Sequence, residues 1–244
     1  MNITLEDQIG EIVANDYRTA AVFKANGIDF CCRGHRSLGD AAHEKGISAD
    51  HIINELALSQ NKSETVSTDF SKWKLEHVID HIIEKHHKYV RQQIPVITSY
   101  LDQINKAHGK TQPFLAELVE LFAADVKDLT QHMETEEGIV FPMIRDVVTN
   151  PIDVQSSSCV PLNFFQEMIT SMELDHTHEG ERWRKIGEMT QDYTLQFGCK
   201  VAFVAFNLLK EYYDDLILHI HLENNILFPE ALELKNKKIL ATQS

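Results

Sequence analysis

Two stretches of the chain carry the same ionisable residues at the same spacing, 87 positions apart (132 to 219). The shared positions are Asp128, Leu129, His132, Glu136, Ile139, Phe141 and Pro142 in the first stretch, and Asp215, Leu216, His219, Glu223, Ile226, Phe228 and Pro229 in the second. Helix packing explains the repeated apolar residues, because it requires an apolar stripe with a period of about 3.6 residues. Packing gives no reason to place a histidine and a glutamate inside that stripe, whereas a bound metal ion does.

Within each stretch the histidine and the glutamate are four residues apart. Residues i and i+4 lie about 40° apart around a helix, so His132 and Glu136 project in nearly the same direction. The same holds for His219 and Glu223. Apolar residues flank both pairs, which predicts that they face the interior of a helical bundle. A third histidine, His176, lies on the apolar face of another predicted helix, and we expect it to face inward as well.

A fourth inward histidine is expected from the helix before the first pair. His86 and His87 both border its apolar stripe, and periodicity does not choose between them. Six inward ligands exceed what one mononuclear site normally uses, but they suit two ions bridged by the two glutamates. Imidazole and carboxylate favour iron or manganese, with zinc as an alternative, over copper(I) or a thiolate-bound cluster. We interpret the pattern as a non-haem site for two iron ions with an oxo or hydroxo bridge. A polar interior satisfied by hydrogen bonds is the competing interpretation.

Three aspartates are candidates for supporting this site. Asp128 and Asp215 each precede a predicted histidine ligand by one turn, so they are predicted to orient those imidazoles or to approach the metal ions. Asp175 adjoins His176 but points about 100° away from it, and is the weaker candidate. The remaining histidines are expected to be solvated or locally bonded, namely His35, His43, His51, His77, His81, His108, His178 and His221.

The adjacent cysteines Cys31 and Cys32 are the candidate catalytic residues. Neighbouring cysteines form a strained disulfide, so a transient redox bond, a persulfide or a passing iron ligand is expected in preference to a structural bridge. One buried, inert cysteine beside one exposed thiol is the alternative. Cys159 and Cys199 are expected to be incidental. Four cysteines in a chain of 244 residues do not make a disulfide scaffold, and we expect a reducing cytoplasm.

Composition favours an all-α protein and argues against several classes of partner. The chain is 43% hydrophobic and has only 10 Gly and 6 Pro, which suits helices. Its net charge of -14 makes nucleic acid and anionic membrane surfaces unsuitable partners. No apolar run approaches the roughly 20 residues that span a bilayer. The first residues have neither a basic nor an apolar signal region, so no signal peptide is expected.

The predicted organisation is a small helical domain over residues 1–58, a polar linker over residues 59–69 and a four-helix bundle over residues 70–244. Pro95 should kink the first long helix, and Pro142 and Pro229 should kink or end the second and the fourth. The four long helices are predicted at roughly 71–107, 113–148, 163–192 and 198–234.

Five motifs are distributed over nearly the whole chain. They are Asp80-His-Ile-Ile-Glu-Lys-His-His87, His132-Met-Glu-Thr-Glu136, Met172-Glu-Leu-Asp-His176, His219-Ile-His-Leu-Glu223 and, in the N-terminal region, Gly27-Ile-Asp-Phe-Cys31-Cys32-Arg-Gly34. Together they resemble a known family, the iron-sulfur cluster repair di-iron proteins of the YtfE/ScdA group, which have a hemerythrin-like domain. Aligning the first motif puts the family's first ligand at His87.

The resemblance implies a di-iron centre that helps to restore iron-sulfur clusters damaged by nitric oxide or peroxide, with damaged proteins or their assembly machinery as partners. It also implies a homodimer. The alternative is a di-iron protein that binds NO or O2 as a sensor, scavenger or NO reductase. An iron donor is expected in preference to a conventional enzyme.

Three departures from the family pattern bear on these expectations. Arg33 stands where the family commonly has glycine, and a guanidinium beside Cys32 should favour its thiolate. Asp128 and Asp175 stand where the family has glutamate, and their shorter side chains argue against a bridging role. Compared with oxygen-carrying hemerythrins, the pattern has one histidine fewer, which should ease iron exchange.

Overall fold

The computed structural model describes residues 3–60, 69–149, 160–195 and 197–242, and confirms the all-α prediction. Within these ranges, the strand-like pairing consists of one isolated bridge between Gln8 and Ser37. The α-helices are α1 (Ile9–Asn15), α2 (Ala20–Ala25), α3 (Leu38–Lys45), α4 (Ala49–Gln60), α5 (Leu75–His81), α6 (Lys88–His108), α7 (Phe114–Thr135), α8 (Phe141–Thr149), α9 (Leu162–Met189), α10 (Lys200–Leu222) and α11 (Phe228–Thr242). Three π-helical segments join consecutive helices, namely π1 (Ile82–His87), π2 (Glu136–Val140) and π3 (Glu223–Leu227).

The prolines do not end the long helices. Pro142 and Pro229 are the second residues of α8 and α11, which continue to Thr149 and Thr242. A proline is tolerated in the first turn of an α-helix, because its missing N–H would have no α-helical partner there. The change from π-helix to α-helix just before each proline provides such a first turn. The fourth long helix therefore extends beyond the predicted end near residue 234.

The first of two compact units comprises Met1–Ile79, Val147–Leu162 and Leu218–Ser244. Its core is formed by apolar residues of α1 to α4 that are inaccessible to solvent, among them Ile9, Phe23, Leu38 and Leu56. Helix α1 lies against the loop that precedes α3, since its first backbone N–H groups donate to carbonyls of that loop at 3.0 and 2.8 Å. In α11, Lys238 donates to the carbonyl of Val147 at 2.6 Å, which ties the last helix to the end of α8.

The second compact unit comprises Asp80–Asp146 and Asn163–Ile217, and contains parts of all four long helices. Buried aromatic residues from three helices form its core: Phe122 of α7, Trp183 of α9 and Tyr212 of α10. The rings of Trp183 and Tyr212 stack with their centroids 5.2 Å apart. Both donate to the buried carboxyl of Asp125, the indole at 2.6 Å and the phenol at 3.3 Å. Side chains from these helices thus share one packed, hydrogen-bonded layer.

The predicted domain division stays a prediction. Helix α4 runs to Gln60, and residues 61–68 of the predicted linker lie outside the described residues, as do residues 151–159 of the loop between the helix pairs. Residues 218–242 group with the N-terminal helices, which the division at residues 59–69 did not anticipate. Across the described ranges, no helix combines the length and the apolar character that crossing a membrane requires.

Candidate metal centre

His87 is the first predicted ligand, and it is wholly buried at the end of π1. Its Nδ1 lies 2.6 Å from Oε1 of Glu137, and its Nε2 lies 3.2 Å from Oε2 of Glu136. A carboxylate can only accept, so Nδ1 carries a hydrogen and Nε2 points at Glu136. Arg91 also binds Glu137, at 2.8 Å. Burial acts to raise the pKa of Glu137, but the hydrogen bonds from His87 and Arg91 outweigh it and lower that pKa.

Three further predicted ligands meet in the same unit. The ligand atoms of His132, Glu136 and His176 lie within 4.8 Å of one another, and all three side chains are buried. Nε2 of His132 is 3.1 Å from Oε1 of Glu136 and 2.9 Å from Nε2 of His176. On its other side, Nδ1 of His132 contacts Oδ2 of Asp175 at 3.3 Å. That hydrogen bond lowers the pKa of Asp175.

The chemistry of this group fits a bound cation. With Nδ1 donating to a carboxylate, a neutral imidazole presents the lone pair of Nε2 on its other side. The lone pairs of His87 and His132 then face the carboxylate oxygens of Glu136, an arrangement that is repulsive unless a proton or a cation lies between them. A charged carboxylate in a dry interior also requires a partner of opposite charge. Nitrogen and oxygen donors of these types suit iron, manganese or zinc. The buried His and Glu side chains therefore form a candidate metal site.

The remaining predicted pair, His219 and Glu223, belongs to the first compact unit. Nε2 of His219 lies 3.0 Å from Oε1 of Glu223, and both side chains are buried. This contact reproduces the 3.1 Å contact between His132 and Glu136. The sequence repeat is thus also a repeat of local geometry.

The three π-helical segments were not predicted, and each contains a candidate ligand. His87 ends π1, Glu136 begins π2 and Glu223 begins π3. A π-helical turn holds more residues than an α-helical turn, so it changes the direction of the side chains that follow, and such turns are common at functional sites. An α-helical period does not reveal these segments, although π2 and π3 occupy equivalent positions of the sequence repeat.

The aspartates lie differently from the predicted arrangement. Asp128 accepts a hydrogen bond from Arg182 at 2.5 Å, and Asp175, the weaker candidate, is the one beside His132. Asp215 contacts Nδ1 of His86 at 2.9 Å, so His86 is buried against a carboxylate of α10. A one-turn offset along a helix did not capture these contacts, because each crosses from one helix to another.

Glu137, which directly follows the predicted ligand Glu136, was not identified from the sequence. It has no counterpart in the second repeat, where Asn224 occupies the equivalent position. The two copies of the repeat therefore differ at the position directly after the shared glutamate, and this difference could have identified Glu137 from the sequence. Asn224 and the next residue, Asn225, instead donate to the carbonyl of Cys31, at 3.3 and 3.1 Å.

The cysteine pair lies in the first compact unit, on the loop after α2. Cys31 is buried and Cys32 is partly exposed, and their sulfur atoms are 3.7 Å apart without a disulfide. The hydrogen bond with Cys32, burial and the negative charge of Asp29 raise the pKa of the Cys31 thiol. The guanidinium of Arg33 binds both carboxylate oxygens of Glu44, at 2.7 and 3.0 Å. Cys159 lies outside the described residues.

His221, expected to be solvated or locally bonded, is fully buried in this unit. Its ring packs edge-on against Phe30 with a centroid distance of 5.7 Å. Its Nδ1 lies 3.2 Å from Nδ2 of Asn225. Burial lowers the pKa of His221 to about 3, so the imidazole is neutral and serves as part of the packing around the cysteine loop.

Comparison with known proteins agrees with this arrangement. Residues 78–231 match the model of the hemerythrin HHE cation binding domain, and residues 5–60 match ScdA_N, a domain of unknown function (DUF542). The iron-sulfur cluster repair protein YtfE of Salmonella schwarzengrund (strain CVM19633) is 30% identical over 232 residues, which are 93% of this chain and 97% of the relative. The protein of the same name from Yersinia pestis (strain Pestoides F) is 31% identical over 216 residues, 88% of this chain and 91% of the relative.

These matches confirm the predicted family and the hemerythrin-like helical fold preceded by a small cysteine-bearing domain. The residue types at the buried group are those that a cation-binding domain requires. The chain belongs to the hemerythrin HHE cation binding domain family, in the group of the YtfE proteins.

Proposed function

We propose that this protein helps to repair iron-sulfur clusters damaged by nitrosative or oxidative stress, by supplying or exchanging iron from a non-haem di-iron centre. The relatives named as iron-sulfur cluster repair proteins align with about nine tenths of the chain, so the similarity includes both the cation-binding region and the cysteine loop. The observation that carries the proposal is the buried group of His132, Glu136 and His176, whose ligand atoms converge within 4.8 Å.

The proposed ligands come from the two copies of the sequence repeat and from the helix that precedes each copy. They are His87, His132, Glu136, His176, His219 and Glu223. Two iron ions, bridged by the glutamates and by an oxo or hydroxo group, would supply redox chemistry and an exchangeable cargo at this site. The His–Glu contacts of 3.1 and 3.0 Å give the two copies of the repeat the same local arrangement, which supports the same role for both pairs.

The surrounding carboxylates act on the imidazoles in this proposal. Glu137 accepts from Nδ1 of His87, and Asp175 contacts Nδ1 of His132, so each ring is held with Nε2 directed at Glu136. Orientation of this kind raises the basicity of a ligating imidazole and fixes its tautomer. Asp128 and Asp215 belong to the wider polar surroundings through Arg182 and His86.

The cysteine loop has the transfer role in this proposal. Cys32 is partly exposed and lies 3.7 Å from the Cys31 sulfur, so the pair offers two thiols to an ion or a nitrosyl group. The alternative is a di-iron protein that keeps its iron and binds or reduces NO or O2. A Cys31→Ser/Cys32→Ser variant separates the two. Retained NO turnover with lost cluster repair supports transfer, whereas retention of both activities supports a sensor or scavenger. The cytoplasmic location and the homodimer stay predictions.

Metal analysis combined with Mössbauer spectroscopy of anaerobically prepared protein tests the di-iron centre directly. We expect two iron ions per chain in the wild type. His132→Ala should lower the iron content by about half or more, because one ion loses one of its few firm ligands. His178→Ala is the matched control, since His178 is exposed on the same helix as His176 and should keep the full content. Unchanged iron content in His132→Ala would reject the assignment.

A further inference from the structure

Asp29, Cys31 and Cys32 form a second group of converging ligand atoms, apart from the histidines and glutamates described above. Their candidate ligand atoms lie within 4.8 Å of one another. Oδ1 of Asp29 is 3.3 Å from the sulfur of Cys31, and the two sulfurs are 3.7 Å apart. All three residues belong to one loop, so no distant element is needed to assemble the group.

The backbone holds this group in place. Oδ1 of Asp29 accepts from the backbone N–H groups of Cys31 and Cys32, at 3.0 Å each, in an Asx-type turn. The carbonyl of Asp29 accepts from the guanidinium of Arg36 at 3.2 Å. On the far side, Asn225 donates to the carbonyl of Cys31 at 3.1 Å. The carboxylate is therefore fixed beside both thiols before any ion binds.

The separations match those of a tetrahedral metal site. With metal–sulfur bonds of about 2.3 Å and tetrahedral angles, two sulfur ligands of one ion lie about 3.8 Å apart. The observed 3.7 Å agrees with that edge. It is far longer than the roughly 2.05 Å of a disulfide, so the pair is poised for a shared ligand rather than a mutual bond. Asp29 supplies a third, harder ligand on the same side.

We propose that Asp29, Cys31 and Cys32 form a three-ligand site for a thiophilic divalent cation, such as ferrous iron or zinc, with its fourth position open. Binding forms two metal–thiolate bonds and breaks two S–H bonds, whose protons pass to solvent, and no electron is transferred. Three protein ligands leave one position of a tetrahedral ion for water or for an acceptor's ligand, which is the arrangement of an exchangeable site. Partial exposure of Cys32 gives that position access to solvent.

This inference deepens the transfer role proposed above and rests on it for the identity of the ion as cargo. The addition made here is Asp29 as a metal ligand, because the transfer role proposed above involves only the two thiols. The two proposals fail separately, since this site shares no residue with the histidine and glutamate group.

Titration of the reduced 244-residue chain with Co²⁺ under anaerobic conditions tests the site. Thiolate ligands give Co²⁺ an intense near-ultraviolet charge-transfer absorption that imidazole and carboxylate ligands do not give. We expect this absorption to reach its maximum at one sulfur-bound ion per chain. Cys31→Ser and Cys32→Ser should each lose it, and a Cys159→Ser/Cys199→Ser variant should keep it.

Asp29→Asn examines the third ligand and preserves the turn, because the amide oxygen still accepts from the backbone. We expect its affinity for Co²⁺ to fall at least tenfold, about the lower end of losses seen when even an outer partner of a metal ligand is removed. Wild-type affinity in Asp29→Asn, or a thiolate absorption that survives in Cys31→Ser, would overturn the three-ligand site, as would its absence from the wild type. His132→Ala should leave this titration unchanged, which separates its outcome from that of the di-iron test.

Discussion

Replacing Gly10 with alanine should destabilise the protein when residue 225 is asparagine. The same replacement should be neutral or stabilising when residue 225 is alanine. A Cβ added at Gly10 would lie 2.1 Å from Oδ1 and 2.6 Å from Cγ of Asn225. Asn225 sits there to donate to the carbonyls of Phe30 and Cys31, at 3.2 and 3.1 Å. A carbon–oxygen contact this short is impossible, so Asn225 must move and its hydrogen bonds must break.

The magnitude follows from the contacts that are lost. Two hydrogen bonds at about 1 kcal/mol each, plus about 1 to 3 kcal/mol for overpacking, are partly offset by about 1 kcal/mol gained from alanine in a helix. Gly10→Ala should therefore lower the free energy of unfolding by roughly 2 to 4 kcal/mol. In an Asn225→Ala background, the atom nearest to the Cβ added at position 10 is the Cβ of residue 225, at 3.1 Å, a tight but tolerable contact. There the substitution should be neutral or stabilising, by up to about 1 kcal/mol.

Urea denaturation of the wild type, the two single variants and the double variant, followed by circular dichroism, completes the cycle. We expect a coupling of about 2 to 5 kcal/mol between the two positions. Gly46→Ala is the control: its φ is +66° and nothing lies within 4 Å of the added Cβ. It should cost about 1 to 2 kcal/mol through backbone strain in either background. If Gly10→Ala costs as much in the Asn225→Ala background as in the wild type, a steric conflict with the Asn225 side chain is refuted as the cause.

Two further predictions concern carboxyls of the second compact unit, the buried Asp125 and the half-buried Glu137. Burial and the neighbouring Glu179 raise the pKa of Asp125, so its contribution to stability is present below the ordinary carboxyl range and is lost as pH rises through the raised value. The stability of the wild type relative to Asp125→Asn should therefore fall as the pH rises above the ordinary carboxyl range, by at most about 1.4 kcal/mol per pH unit, in paired urea titrations; a difference independent of pH would contradict this. Glu137→Gln should weaken iron binding about tenfold in chelator competition, because the Nδ1 of His87 loses a charged acceptor. Glu84→Gln, on the exposed face of π1, should bind like the wild type, and equal affinities in all three proteins would exclude the role of Glu137.

Spacing along the chain was sufficient to predict the His–Glu pairs. A helix places residues four apart on one face whatever surrounds it, so His132 with Glu136, and His219 with Glu223, followed from local geometry alone. Their contacts of 3.1 and 3.0 Å agree with that reasoning. The all-α class was predictable for the same reason, since an apolar stripe of helical period needs no tertiary information.

Contacts between helices were not predictable in this way. Periodicity could not separate His86 from His87, because one residue of rotation leaves both at the edge of the stripe. The π-helical turn and the facing helices separate them: His87 contacts Glu136, and His86 contacts Asp215. The support of His132 by Asp175 also depends on how two helices meet, which no spacing within one helix encodes.

The amino-acid sequence by itself determined which residue types are available and in which direction each helix presents them, because these depend on a backbone repeat that is the same in every α-helix. The tertiary structure alone decided which carboxylate meets which imidazole. It also decided that Asn225 enters the space left by Gly10 and Gly34 to hold the cysteine loop. These choices depend on close approach between segments far apart in the chain, and that approach is governed by the packing of many side chains together.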